Sequence, residues 1–105
     1  APLVLGVRAD LPAQSFSDVV ALAKARPGAL TYASPGNGSL PHVATELLRL
    51  RAGIDILHVP YRSGGPATID LAGGRVDMFL TTPLELHGQV QAGRVRIVAA
   101  ATLAP

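Results

Sequence analysis

The residues of this chain best suited to chemistry are small and polar, and they lie close together between positions 34 and 42. Two glycines flank an asparagine, a serine stands on either side, and a histidine follows. Glycine lets a backbone turn with positive φ and approach a ligand closely, and the free N–H groups at a helix start favour anions. We therefore predict that this glycine loop binds an anion, with donors from Ser34, Gly36, Asn37, Gly38, Ser39 and His42.

Two other interpretations of the glycine loop stay open. Glycine and asparagine are common in ordinary turns between a strand and a helix. The segment Gly36-Asn37-Gly38 also supplies two of the three glycines of a dinucleotide-binding fingerprint, although Pro41 replaces the third and Asp55 lies too early for the usual ribose-binding acid. A nucleotide-binding enzyme domain that uses this loop is therefore the alternative hypothesis.

Other chemistries find little support in the residue types. The chain has no cysteine, and His42, His58 and His87 have no closely spaced partner of the kind that metal sites use. The sequence around Ser34 is not a nucleophile elbow. We expect His58 to be a core histidine with a satisfied hydrogen bond and His87 to lie on a helix surface. The overall expectation is binding without catalysis, with no metal and no cofactor.

Composition places the chain among globular domains. Of its 105 residues, 49% are hydrophobic and 15% are charged, and the net charge is only +2. This balance excludes a disordered chain and fits a single domain. The basic residues are scattered, and two tyrosines with two phenylalanines are too few aromatics for a nucleic-acid platform, so we expect no nucleic-acid partner.

Hydrophobic periodicity and capping patterns predict five strands that alternate with four helices. The predicted strands are residues 3–8, 30–33, 54–59, 76–81 and 95–101. The first predicted helix lies between Ser15 and Pro27, the second and third cover residues 40–52 and 66–71, and the fourth lies between Thr82 and Gly93. The second helix has an apolar face formed by Val43, Ala44, Leu47 and Leu50. Such alternation predicts an α/β domain with a mostly parallel sheet and helices on both faces.

In sheets of this class, ligands bind beyond the carboxyl ends of the strands. Three loops lead from a predicted strand into a helix start, at residues 34–39, 60–65 and 81–83. We therefore expect Tyr61, Thr81 and Thr82 to line the wall of a site whose donors come from the glycine loop.

Several segments together resemble a known family. Residues 30–42 match the pattern Leu-x-Tyr-Ala-Ser-x-Gly-x-Gly-Ser/Thr-x-x-His, residues 58–61 read His-Val-Pro-Tyr, and residues 73–79 match Gly-Gly-x-Val-Asp-x-Phe. With the first strand, the helix after it and the fifth strand, the chain resembles the Bug-family solute-binding proteins of tripartite tricarboxylate transporters over nearly its whole length.

The resemblance implies a two-domain periplasmic protein that closes on a small carboxylate, with residues 1–105 as its second domain. It also implies the strand order 3-2-4-1-5 with strand one antiparallel, and partner subunits in the membrane. The missing first domain would supply much of the grip on the carboxylate, so this chain would be a half-site. Without that domain we expect an apolar rim near residues 3–7 and 95–103 and self-association of the fragment.

Overall fold

The computed structural model describes residues 2–101. Strands and helices alternate along this range. They are β1 (Leu3–Arg8), α1 (Phe16–Ala25), β2 (Thr31–Ser34), α2 (Leu40–Ala52), β3 (Leu57–Pro60), α3 (Gly64–Ala72), β4 (Met78–Thr81), α4 (Pro83–Gln91) and β5 (Val95–Ala101). Within the described range, none of the helices is both long and apolar enough to cross a membrane.

The five strands form one mixed sheet in the order β3-β2-β4-β1-β5. β2 pairs in parallel with β3 and β4, whereas β1 runs antiparallel to β4 and β5. The predicted α/β class, strand order and direction of β1 are therefore confirmed. Because β2, β3 and β4 are neighbours that run the same way, the loops that follow them meet at one edge of the sheet, which we call the carboxyl edge.

Three helices begin where the sequence signals a cap. The hydroxyl groups of Ser15, Ser39 and Thr82 accept hydrogen bonds from backbone N–H groups three residues further on. Each of these bonds satisfies one of the N–H groups that a helix start leaves without a partner. The start of α3 differs, because the helix begins at Gly64, two residues before the predicted Pro66, and the Ser63 side chain makes no capping bond.

The hydrophobic core lies on both faces of the sheet. Leu3, Leu5 and Val7 point to the face covered by α1 and α2, whereas Val4 points to the face covered by α3 and α4. This alternation follows from the two-residue period of a strand. β1 is therefore buried on both faces, as an interior strand between β4 and β5.

The predicted apolar face of α2 is wrong in part. Ala44 is buried, but Val43, Leu47 and Leu50 are 48%, 46% and 65% exposed. The helix instead uses Thr45 towards the core, where its hydroxyl donates to the carbonyl oxygen of Pro41 at 2.7 Å. A buried threonine can thus replace an apolar residue when its hydroxyl is satisfied locally.

The predicted apolar rim is wrong for residues 3–7, whereas part of its second segment, in β5, is exposed. Residues 3–7 are buried, because α helices cover β1 on both faces. In β5, Val95 is buried and Ile97 is exposed. Residues 102–103, the end of that predicted rim, lie outside the described range. The exposed apolar surface lies mainly on α2 instead.

Asp77 links three strands through hydrogen bonds at the end of the sheet opposite the carboxyl edge. Its carboxylate accepts from Arg8 Nε at 2.7 Å and from the Thr31 backbone N–H at 2.8 Å. The two side chains of the ion pair are only partly exposed. Hydrogen bonds to a charged, partly buried group contribute more than neutral ones do, so Asp77 links β1 and β2 to the start of β4.

Gly6 in β1 provides the first test of this packing. A Cβ atom at Gly6 would lie 2.6 Å from Leu86 Cδ1 and 3.1 Å from Val95 Cγ1, and both neighbours are buried. We expect Gly6→Ala to destabilise the domain by about 1–3 kcal/mol through overpacking. Gly88→Ala is the control, since Gly88 lies in α4 with open space around it and should gain up to about 1 kcal/mol of helix propensity. Urea unfolding measures both, and equal effects would contradict the packing described.

Asp77 provides the second test. Asp77→Asn removes the charge that Arg8 and Thr31 share, and we expect the free energy of unfolding to fall by about 1–3 kcal/mol. Asp55→Asn makes the same substitution at an exposed position and should change stability by less than about 0.5 kcal/mol. Denaturant midpoints that agree for the two variants would show that Asp77 does not link the strands.

Candidate functional site

Three helix starts meet at the carboxyl edge. α2, α3 and α4 follow the neighbouring parallel strands β2, β3 and β4. The Tyr61 N–H donates to the Ser34 carbonyl oxygen at 2.9 Å, which joins the first two loops directly. The partial positive charge of three helix starts is therefore concentrated on one side of the domain.

The glycine loop is held in shape by its own side chains. Gly36 and Gly38 have φ values of 147° and 81°. Residues other than glycine rarely adopt positive φ values of this kind. The Ser34 hydroxyl accepts from the Gly36 N–H at 3.1 Å, and the Ser39 hydroxyl donates to the Gly36 carbonyl oxygen at 2.7 Å. The Gly38 N–H donates to His42 Nδ1 at 2.9 Å.

These bonds determine which backbone N–H groups of the glycine loop remain free to donate to a ligand. The N–H groups of Gly36, Gly38 and Ser39 all have acceptors inside the chain, and Ser34 is fully buried. Among the described residues, the Asn37 N–H has no acceptor. The structure therefore brings together the glycine-loop residues that the sequence singles out, but it uses most of their donors to form the loop. Their contact with a ligand stays a prediction.

Of the three helix starts at the carboxyl edge, that of α3 lacks a side-chain cap. Ser63 makes no capping bond, and the N–H groups of Gly64 and Gly65 find no acceptor within residues 2–101. The Glu85 carboxylate lies against Gly64, where it occupies the space of a Cβ atom. These residues lie in the predicted loop 60–65 but were not among the predicted donors, although a serine followed by two glycines after a strand was the available signal.

Tyr61, Thr81 and Thr82 have distinct surroundings. The Tyr61 hydroxyl donates to Asp70 Oδ2 at 2.8 Å, and burial, with that bond, raises the pKa of Tyr61 to about 12. Thr81 is buried at the end of β4. Thr82 accepts from the Glu85 N–H and keeps its own hydroxyl proton free to donate. Tyr61 and Thr81 thus lie at the strand ends, and Thr82 offers a donor.

Three aromatic rings stack beside the glycine loop. The His42 and His58 rings are 3.9 Å apart with planes 8° from parallel, and the His58 and Tyr32 rings are 5.0 Å apart. His58 Nε2 lies 2.6 Å from the Ser34 hydroxyl oxygen, which agrees with the expectation of a satisfied histidine. Burial, reinforced by the neighbouring His42, lowers the pKa of His58 below its ordinary value.

Tyr32 extends this stack into α2. Its hydroxyl donates to the Glu46 carboxylate, which also accepts from the Arg49 guanidinium at 2.9 Å. Burial and the bond to Glu46 raise the pKa of Tyr32 far above its ordinary value. The Tyr32 hydroxyl therefore stays protonated, and Glu46 stays ionised between its two donors.

Other chemistry-bearing groups lie elsewhere. His87 is exposed on α4, away from His42 and His58. The part of the chain that the structure describes has no cluster of three or more metal-ligand side chains. A depression of about 230 Å³ lies at the opposite end of the sheet, lined by residues that include Arg8, Gly74 and Arg94. Neither His87 nor this depression therefore contributes to a site at the carboxyl edge.

Curated relatives match most of the chain. It is 39% identical over 102 residues to the UPF0065 protein in the tcbD-tcbE intergenic region of Pseudomonas sp. (strain P51), a match that covers 97% of this chain and 30% of the relative. It is 37% identical over 98 residues to protein BugT of Bordetella pertussis (strain Tohama I), covering 93% of this chain and 30% of BugT. The chain therefore spans less than a third of the length of these relatives.

Solved structures share the fold. R. palustris Rpa4515 with adipate superimposes with a TM-score of 0.93 at 34% identity, covering 97% of this chain and 34% of that one. The periplasmic binding protein BugD superimposes with a TM-score of 0.88 at 25% identity, covering 99% of this chain and 35% of that one. The family model described as tripartite tricarboxylate transporter family receptor matches residues 1–103. From these matches we conclude that the chain belongs to the tripartite tricarboxylate transporter receptor family, whose Bug proteins it resembles.

Proposed function

We propose that this domain binds a small carboxylate without chemical conversion, at the carboxyl edge of its sheet. The observation that carries the proposal is the convergence of three helix starts, one of them without a side-chain cap. A relative of the same fold at 34% identity has adipate bound. Helix N-termini bind anions, and carboxylates are among the anions that they accommodate.

The proposed contacts divide between two loops. The Asn37 N–H and the His42 imidazole supply donors from the glycine loop, supported by Ser34, Gly36, Gly38 and Ser39. The free N–H groups of Gly64 and Gly65 supply donors from the start of α3. Tyr61, Thr81 and Thr82 form the wall between them. The Glu85 carboxylate at Gly64 repels an anion, and the exposed Arg62 nearby in the chain offsets this repulsion.

The weak binding expected at this edge alone supports the proposal that it is half of a site. A helix start contributes up to about 2 kcal/mol to a partly buried anion, and each neutral hydrogen bond adds about 1 kcal/mol. Association costs at least about 4 kcal/mol. Two helix starts with the donors of Asn37, His42, Gly64 and Gly65 give at most about 8 kcal/mol, so the net binding free energy is no more favourable than about −4 kcal/mol, which corresponds to a millimolar affinity. A second domain that covers the ligand would supply the rest.

We therefore propose that the chain is the second lobe of a two-domain periplasmic binding protein. Its coverage of about 30% of each curated relative supports this proposal. The partners would then be a first domain of the same protein and transporter subunits in the membrane. Self-association of the fragment is also proposed, through the exposed leucines of α2 rather than through β1.

Charge at the carboxyl edge provides a test in the 105-residue chain. Titration with adipate, followed by NMR, should give a dissociation constant weaker than micromolar. Arg62→Gln should weaken binding by about 2–5-fold, which corresponds to less than 1 kcal/mol for a surface charge. Arg94→Gln makes the same change in an exposed arginine at the opposite end of the sheet and should leave binding unchanged.

A panel of ligands distinguishes carboxylate binding from nucleotide binding. It contains succinate, adipate, citrate and ATP, added to the same protein at equal ionic strength. Preferential ATP binding with shifts confined to residues 36–38 would favour a nucleotide-binding domain instead. Sub-micromolar adipate binding would show that the site is complete without another domain, and equal losses in the two arginine variants would place the anion elsewhere.

A further inference from the structure

His58 connects the glycine loop to the neighbouring strand through two different contacts. Its Nε2 atom lies 2.6 Å from the buried Ser34 hydroxyl oxygen, and that same hydroxyl accepts from the Gly36 N–H. Its ring face stacks on His42 with a centroid separation of 3.9 Å. One imidazole on β3 therefore contacts both the first residue of the loop and the histidine that follows it.

The His42 ring has a defined proton arrangement as a result. Its Nδ1 atom accepts from the Gly38 N–H at 2.9 Å, so the proton of the neutral ring must lie on Nε2. Among residues 2–101, that Nε2–H has no hydrogen-bond partner. The stacked His58 ring sets the plane of the His42 ring, and thereby the direction in which this free donor points.

We propose that His58 is a positioning residue of the carboxylate site, which holds the glycine loop through Ser34 and orients the free Nε2–H of His42 by stacking. The role in ligand binding rests on the proposed function, whereas the role in loop geometry does not. In this scheme His58 acts through Ser34, which contacts its Nε2, and through the stacked His42 ring, and it does not itself bind the ligand.

The arrangement depends on a neutral His58 imidazole, because a proton on this ring would place a positive charge in a partly buried position against the stacked His42 ring. The groups that face His58 are Tyr32 and Ser34 from β2, and His42 and Glu46 from α2, with Arg49 paired to Glu46. Glu46 attracts a proton to His58, but burial and His42 oppose it more strongly.

The sign of the pH effect follows from the lowered pKa of His58. The unfolded chain takes up the proton at the ordinary histidine value of about 6.5, while the folded domain resists it. The folded state therefore loses stability as the pH falls below about 6.5 towards the folded-state pKa.

Two variants at His58 separate its contacts. His58→Phe keeps a ring for stacking but removes the bond to Ser34 and the titrating group. His58→Gln removes the ring and keeps a polar side-chain end that can reach Ser34. His87→Gln, at an exposed position of α4, is the matched control for histidine removal. All three are made in the 105-residue chain, with circular dichroism to confirm folding.

Loop geometry is measured first, without ligand. We expect amide hydrogen exchange at Gly36 to accelerate at least 10-fold in His58→Phe, and at Gly38 in His58→Gln, with neither change in His87→Gln. Nitrogen-15 shifts of the His42 ring should report the Nε2–H form in the native chain and a mixture in His58→Gln. Between pH 7 and pH 5, the unfolding midpoint should fall less in His58→Phe than in the native chain or in His87→Gln.

Adipate affinity is measured second, at pH 7.5. We expect both His58 variants to bind about 3–10-fold more weakly than the native chain and the His87 control. Unchanged Gly36 and Gly38 exchange with unchanged His42 ring shifts would overturn the positioning role. If these loop readouts change but the native chain binds no carboxylate, the proposed function fails while the geometric role of His58 stands. If they change and native affinity is retained, the role in binding fails.

Discussion

The parallel pairing of β2 with β3 and β4 is the constraint on which the rest of this domain depends. It brings three loops that are far apart in the chain to the same edge, and the backbone bond from Tyr61 to Ser34 continues the pairing up to the loops themselves. Because main-chain bonds make this arrangement, side chains at the edge can change without loss of the scaffold. A family with one fold and many ligands can be built on such an edge.

The elements with strong local signals could be predicted from the sequence. β1, α2 and β5 begin and end where hydrophobic runs, serine caps and glycine stops indicate. The apolar face of α2 could not, because helical periodicity identifies a stripe without saying what covers it. In this helix the core contact falls on Ala44 and Thr45, and the leucine stripe faces outwards. Only the positions of the neighbouring elements decide between the two faces.

The position of the glycine loop at the carboxyl edge could be predicted from the sequence, but the contacts that its groups make could not. The glycine loop stood out because its residue types are unusual, and it does lie at the carboxyl edge. Whether an N–H group is free depends on rotamers and distant partners, as with Ser34, which bonds both Gly36 and His58. His58 lies 24 residues from Ser34 in the chain, so no local pattern could connect them. The uncapped start of α3 was not predicted because Pro66, a residue favoured in the first helical turn, placed the helix start two residues too late.

The interior position of β1 has a consequence for how the domain folds. β1 precedes the other four strands, yet both of its partners, β4 and β5, come from the last third of the described chain. Contacts between distant segments carry a loop-closure cost and slow folding. During synthesis, β2 and β3 can pair early, but β1 has neither of its partners until Met78–Thr81 have left the ribosome, and the sheet is complete only after Val95–Ala101 follow. Before β4 emerges, β1 is an unpaired apolar strand that is exposed to aggregation.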